Sequence, residues 1–327
     1  MIISKTPYRI SFFGGGTDYP EWLGENKGAV LSTTIDKYIY LTLNMKTSLF
    51  HKNYIISYKK VEKRKKISEI EHPPVRECLK YFKIKPGCEL TYSGDLPARS
   101  GVGSSSSFTV GLLKCLYALK NIKITKKELA KKAIYIERNL LKENVGLQDQ
   151  IACSYGGLNL IKFNNNDFKV SKLNIEKNIL DSLNNNLILC FSGIQRNSND
   201  ISKKYIKKLS TSSYQDLMNT NYDLVKEGST LLKKKNIDEF GKLLDVSWKM
   251  KKKLHNEVSS PELNEFYDNA LTTGALGGKL LGAGGGGFFL FYVPKKNMSK
   301  FIKLNKKLFI SKFKFENNGS VIVNNSI

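Results

Sequence analysis

Histidine is scarce: the 327 residues hold three, His51, His72 and His255, with no spacing suited to a metal ion. A general base in this chain is therefore expected to be a carboxylate. The five cysteines, at 78, 88, 115, 153 and 190, are odd in number and include no C-x-x-C pair. Most stand beside apolar residues, and they read as buried free thiols. No run of about 18 apolar residues occurs, so no membrane helix is expected. The N-terminal "MIISKTPYRISFF" reads as a strand. It lacks the charged, apolar and small-residue regions of a signal peptide, which makes a cytoplasmic location the expectation. There is no internal repeat, no RNP-like aromatic motif and no zinc finger.

Acids are also in short supply. Fifty-three Lys and Arg face 29 Asp and Glu, a formal charge of +24. Such a field suits nucleic acid or an acidic membrane, or it marks lysine-coated solvated faces. The lysines are scattered, with short runs such as "KKVEKRKK", and asparagine clusters at 164–166 and 184–186 accompany them. The solvated reading is preferred, with no nucleic-acid and no membrane partner expected. An anionic small substrate would also suit the field. Homo-oligomerisation is left open.

The chain length and 41% hydrophobic content allow a sizeable core in one large domain or two. "GAVLSTTIDKYIYLTLNM" (28–45) is rich in β-branched and aromatic residues and predicts one or two strands. "NYIISYKKVEKRKK" predicts another, and "CELTYSGDLP" (88–97) a strand entering a glycine loop. Phe108, Leu112, Leu116 and Leu119 recur at helical spacing. "TKKELAKKAIYIERNLLKEN" predicts a helix with Thr125 as N-cap and Glu128 completing a capping box. On it, Ala133, Ile134, Leu140 and Leu141 share the side of Glu137. A carboxylate in an apolar stripe is costly unless paired or metal-bound, which singles out Glu137. The Asn-rich stretch 164–186 is the candidate boundary. Beyond it come the strand "LILCFSG", lysine-rich helices over 200–256, and a helix with Ser260 as N-cap, Pro261 at its first position and Gly274 at its end.

Three glycine clusters each adjoin a predicted strand. "LPARSGVGSSSS" (96–107) runs from a strand into an apolar helix. It is either a linker or a loop aiming N–H groups at an anion, and its bracketing favours the second. It lacks the G-K-[ST] of a Walker loop and the G-x-G-x-x-G spacing of a dinucleotide site. "RISFFGGGTDYPEW" (9–22) and "LGAGGGGFFLFYV" (281–293) are the others. Together they suggest one site bounded by backbone from several places. Asp149, in "GLQDQIACSYGG", reads either as a cap or turn residue or as a buried base.

In this order and spacing the three clusters resemble the motifs of the GHMP small-molecule kinases, the superfamily of galactokinase, homoserine kinase and mevalonate kinase. "LPARSGVGSSSS" is similar to its P-x-x-x-G-L-G-S-S-A motif, with Val102 for Leu and Ser106 for Ala. The resemblance implies an α+β fold: a ribosomal protein S5 domain 2-like N-terminal domain (1–180), a ferredoxin-like C-terminal domain (181–327), and the active site between them. It implies ATP and Mg²⁺ as cofactors. Gly101, Val102, Gly103, Ser104, Ser105 and Ser106 would wrap the ATP phosphates. Ser105 and Glu137 would ligate Mg²⁺. Asp149 would act at the acceptor hydroxyl with Arg9 beside it. Gly282, Ala283, Gly284, Gly285 and Gly286 form the third motif.

Within the superfamily the motifs look most like those of sugar 1-kinases acting on a heptose 7-phosphate, which serve nucleotide-heptose synthesis for surface polysaccharide. A 1-kinase of fucose or another hexose is the alternative. Gly15 and Gly16 replace the Glu-His pair of galactokinases and make room, while Thr17 and Asp18 would hold sugar hydroxyls. For the phosphate of a sugar phosphate, Arg196 is the first candidate, with Arg99 and Lys5 behind it.

Overall fold

The computed structural model describes residues 1–24, 26–46, 52–164, 167–195 and 198–326. The stretch 28–45 forms one 18-residue strand, β2 (Gly28–Met45), on which the first sheet is organised. It runs antiparallel to β1 (Ile2–Phe13) over nearly its full length. The remaining edge of β2 is shared. Gly28–Ser32 pair with β6 (Asn159–Asn164), and Ile39–Met45 pair with β5 (Cys88–Gly94). The stretch expected as a single further strand is instead a hairpin, β3 (Tyr54–Ser57) with β4 (Val61–Arg64), because "KK" and its neighbours turn at 58–60. β7 (Asp167–Lys172) pairs with β6. The sheet order is β13-β1-β2-β5-β3-β4, and β3 against β5 is the parallel step among the described pairs.

The second sheet holds β8 (Leu187–Phe191), β9 (Gly277–Leu280), β10 (Phe288–Tyr292) and β11 (Phe309–Ser311), in the order β11-β8-β10-β9. Helices connect β8 to β9 and β10 to β11, and β9–β10 is a hairpin, which is the β-α-β-β-α-β plan of a ferredoxin-like unit. The Asn-rich stretch before it supplies β7 and helix Lys177–Asn186, after which the second sheet begins. β12 (Phe315–Glu316) and β13 (Val321–Asn325) return to β2 and β1 of the first sheet.

Helix Ser104–Leu119 lies on the first sheet. It carries few charges because it is buried along most of its length, through Val110, Leu112, Leu113, Cys115 and Leu116. Phe288, Phe289, Phe291 and Tyr292 are fully buried in the second sheet. All five cysteines are buried and free. Among the described residues no helix is long and apolar enough to cross a membrane.

The helix from Thr125 departs from the expectation at its far end. Its α-helical part is Lys126–Ile134, and it widens into a π-helical turn, Tyr135–Leu140. The wider turn buries Ile136 and Glu137 together, and such turns recur at functional sites. The capping box at its start forms as the sequence predicts. Thr125 Oγ1 accepts from the amide of Glu128 at 3.2 Å, and Glu128 Oε2 accepts from the amide of Thr125 at 2.9 Å. Thr125→Ala is expected to cost about 1 kcal/mol, read as a lower urea midpoint; an unchanged midpoint would deny the cap a stabilising role.

Candidate active site

β1 delivers Arg9 to the start of helix Gln148–Tyr155, where Asp149 stands in the first turn. The guanidinium donates to both carboxylate oxygens, Nε to Oδ1 and Nη2 to Oδ2, each at 2.6 Å. Its Nη1 donates to the carbonyl of Gly101 at 2.5 Å. Arg9 is 5% exposed. Burial works against its charge, and the Asp149 carboxylate more than offsets this. A fork-to-fork pair of this kind is directional as well as strong. Removing Asp149 would strand the buried Arg9 charge, at a cost of about 3–5 kcal/mol.

The loop that Arg9 grips is the 96–107 glycine–serine stretch. The amide of Arg9 also donates to the carbonyl of Val102 at 3.0 Å. Gly101 and Gly103 sit at φ +85° and +78°, and a Cβ on Gly103 would come within 2.9 Å of Arg9 Cγ. The loop therefore curls against the arginine in a way that other residues would resist. Gly103 precedes helix Ser104–Leu119, whose first amides face the same space as the exposed Ser105. The third glycine cluster braces this loop from the other sheet. The amide of Phe288 donates to the carbonyl of Ser100 at 2.9 Å, and a Cβ on Gly101 would meet Leu281 O at 2.6 Å. Gly282, Ala283, Gly284 and Gly286 face the cavity. Gly285 instead uses its amide on the carbonyl of Val258 at 2.9 Å.

Glu137 is completely buried. Its Oε2 accepts from the hydroxyl of Ser106 at 2.9 Å and from the amide nitrogen of Gln150. The serine joined to it is Ser106, which is buried, while the exposed Ser105, the expected metal ligand, lies on the cavity wall. Oε1 is buried and makes no hydrogen bond, although the Thr109 hydroxyl is close by. Burial, with the neighbouring Glu143 adding, pushes the Glu137 carboxyl up to about 8. Burial also raises Glu143, which lies on the cavity wall. Two acids made reluctant to ionise, one with an orphan oxygen, are a fit for a divalent cation. No group of three or more His, Cys, Asp or Glu side chains gathers among the described residues. A cation here would need hydroxyls, phosphates and water as its other ligands, the habit of Mg²⁺.

One cavity of about 940 Å³ joins these parts. On the Arg9 side its wall holds Ser11, Gly15, Gly16, Asp18, Gln148 and Asn221. Asp18 accepts from the amides of Gly16 and Gln148 and from the Gln148 side chain, each at 3.0 Å. Burial, with the Asp149 charge adding, pushes it up to about 6 against the pull of the Gln148 amide. Ser11 Oγ and Gln148 Oε1 are buried and have no partner among the described residues. Thr17 differs from the expectation. Its hydroxyl donates to Gly14 O at 2.8 Å and Ala29 O at 2.9 Å, and the residue is fully buried off the cavity wall, so it shapes the loop. Arg99 is on the wall, whereas Lys5 lies 3.8 Å over the Tyr38 ring on β1. Arg196 lies outside the described residues.

At the other end the wall is aromatic: Tyr58, His72, Tyr92 and Phe108, with the His72 and Phe108 rings 4.7 Å apart and tilted by 31°. Sequence reading missed these four and Glu143, since they come from separate elements and carry no shared spacing. Glu143 follows Glu137 by six residues in "ERNLLKE", which was the available signal. It also missed Lys251 and Lys279, two cavity-facing lysines among many.

Comparison with known proteins agrees with this geometry. Residues 74–157 match the GHMP kinases N terminal domain, and residues 229–303 match the GHMP kinases C terminal domain. A D-glycero-alpha-D-manno-heptose 7-phosphate kinase of Campylobacter jejuni is 31% identical over 97% of both chains. The crystal structure of a D-glycero-D-manno-heptose 1-phosphate kinase from Bacteriodes thetaiotaomicron superposes with a TM-score of 0.81 at 24% identity, covering 100% of each chain. The galactokinase of Lactococcus lactis complexed with galactose superposes with a TM-score of 0.75 at 19% identity, covering 98% of this chain and 94% of that one. The chain belongs to the GHMP kinase family and is a phosphotransferase.

Proposed function

We propose that this protein is an ATP-dependent sugar 1-kinase that converts a heptose 7-phosphate to the 1,7-bisphosphate and ADP. The observation that carries the reading is the Arg9–Asp149 fork, fastened to the Gly101 loop and opening on a cavity with unsatisfied polar atoms on one side and aromatic rings on the other. Full-length similarity to a heptose 7-phosphate kinase supports the choice of acceptor.

The aromatic end suits a purine base. The Gly101–Ser106 loop and the first amides of the following helix suit its phosphates. On the other side, Ser11, Gln148 and Asp18 offer acceptors and a hydroxyl to a polyol, and Gly15 and Gly16 leave room beside them. Asn221 Nδ2 holds the Gly15 carbonyl at 2.6 Å, which fixes that floor. Asp149 receives the proton of the anomeric hydroxyl as its oxygen attacks the γ-phosphorus. Arg9 orients the carboxylate and offsets charge gathering on the phosphoryl oxygens. Glu137, Glu143 and the hydroxyls of Ser105 and Ser106 would hold Mg²⁺, which would neutralise phosphate charge. The same ions and cavity leave the products to depart towards solvent in a location we take to be the cytoplasm.

Four outcomes test this. Asp149→Asn should lower kcat by about 10²–10⁴ while its circular dichroism stays that of the parent; retained turnover would remove the base role. Glu137→Gln should raise the Mg²⁺ concentration for half-maximal rate by about tenfold or more. The carboxyl of Glu137 is held at about 8 against an ordinary 4.5, so the stability it contributes is full below pH 4.5 and is lost as pH rises through 8. Without Mg²⁺ and ATP, the Gln variant should therefore melt above the parent at pH 8.5, with the gap closing near pH 5. Equal melting at pH 8.5 would show that Glu137 is not strained there. ADP release over heptose 7-phosphate, fucose, galactose and mannose, with ³¹P NMR of the product, should favour the heptose phosphate and give a new anomeric phosphate signal. Preference for a free hexose would establish the alternative 1-kinase.

A further inference from the structure

Two lysines face the cavity from the second sheet and its neighbouring helix, and the account above gives them no part. Lys279, on β9, is 6% exposed. Its ammonium donates to Phe12 O at 2.7 Å and to Ser247 Oγ at 3.0 Å. Lys251, near the end of helix Ile237–Lys252, is half-buried and lines the cavity. It donates to Leu280 O at 2.8 Å and Gly282 O at 2.5 Å. An ammonium has three donors. Each lysine thus has one N–H left, and each lines the cavity. Among the described residues neither has a carboxylate within ion-pair distance, although this chain forms many such pairs at its surface.

The cations also disfavour one another. Burial, with Arg9 adding, lowers Lys279 to about 7, and burial with Lys279 and Arg9 pulls Lys251 well down. Arg9 is matched by Asp149, whereas the two lysines have no carboxylate partner among the described residues to favour their charged forms. Buried charge is normally paired, and an anion entering the cavity would complete the balance.

Their place decides which anion. Lys251 holds the carbonyls of Leu280 and Gly282, the backbone that presses on Gly101, and Gly101 O is the third acceptor of Arg9. The lysines therefore surround the reacting end of the nucleotide loop. A phosphate at the far end of an acceptor would lie a sugar's length away.

We propose that Lys251 and Lys279, together with Arg9, form a three-cation clamp for the phosphoryl group in transit, a reading that rests on the kinase assignment above. In the step it serves, the bond between the bridging oxygen of ATP and the γ-phosphorus breaks as the acceptor oxygen bonds to that phosphorus. The acceptor proton passes to Asp149, and ADP carries away the bond electrons. Negative charge on the three equatorial oxygens meets the free N–H of each lysine and the Arg9 guanidinium.

Lys251→Met and Lys279→Met, measured separately, should lower kcat by about 10²–10³ with KM for acceptor changed by less than about threefold. MgADP affinity should stay that of the parent, while the tightening of MgADP binding by fluoroaluminate should be lost. A kcat within about threefold of the parent, or loss of MgADP affinity in step with kcat, would overturn the clamp and leave the lysines as backbone braces. If either variant fails to fold, the parent decides. Inorganic phosphate titrated into the protein with MgADP should occupy a saturable site in ³¹P NMR, and absence of saturation overturns the proposal. Should the parent release no ADP with any of the sugars above, the acceptor reading fails, and the phosphate titration still judges the clamp.

Discussion

The Arg9–Asp149 fork is the interaction on which the site depends. One guanidinium joins a strand at the start of the chain, a loop near residue 101 and a helix near residue 149. Each group it binds is thereby placed relative to the others, with little left to side-chain freedom. The rest of the structure reinforces this knot. The Arg9 amide holds Val102, and the second sheet reaches over through Phe288 to hold Ser100. Since phosphoryl transfer depends mainly on position and charge, a site fixed by one arginine needs few other side chains. That accords with a chain so poor in histidine.

Around this knot the protein keeps several groups in states that folding alone would not choose. Glu137 and Asp18 are held well above ordinary carboxyls, Lys279 well below an ordinary lysine, and Ser11, Gln148 and Glu137 each bury an unpartnered oxygen. An isolated buried polar atom costs about 1–3 kcal/mol. All of these groups except Glu137 line one cavity, and each has the sign that a cation, an anion or a polyol would relieve. The strain follows the pattern of charged and polar ligands.

Local features of the sequence were legible because their cause is local. The caps at Thr125 and Ser260 follow from a hydroxyl and a nearby amide, and both form. Glu137 stood out as an acid in an apolar stripe, and it is indeed fully buried. The glycine clusters marked three loops that do converge. What stayed hidden is set by approach in space. Lys251 and Lys279 are two of many lysines until helix Ile237–Lys252 and β9 carry them to Arg9. The aromatic end gathers Tyr58, His72, Tyr92 and Phe108 from four elements. The π-helical turn at Tyr135–Leu140 shifts the helix phase by a widening that no periodicity announces. The Thr17 hydroxyl, expected to meet a sugar, is occupied by two carbonyls, a competition visible only once Ala29 is alongside. In the phosphate loop helix phase decides which hydroxyl reaches Glu137, and the bond from Ser106 is one the motif did not announce.

The meeting of Gly101 and Gly282 bears on how this site can change over generations. A Cβ on Gly101 would come to 2.6 Å from Leu281 O, and one on Gly282 to 2.7 Å from the Cα of Gly101. At Gly15, which is outside the left-handed region, the nearest obstacle is the end of the Gln148 side chain at 3.5 Å, an ordinary contact. Between Gly101 and Gly282 both obstacles are main chain, which no codon can shorten. Loss of either glycine thus has no suppressor at the other. Drift in acceptor preference is open to the Gly15 side of the cavity, while the seam between the two sheets is closed to it.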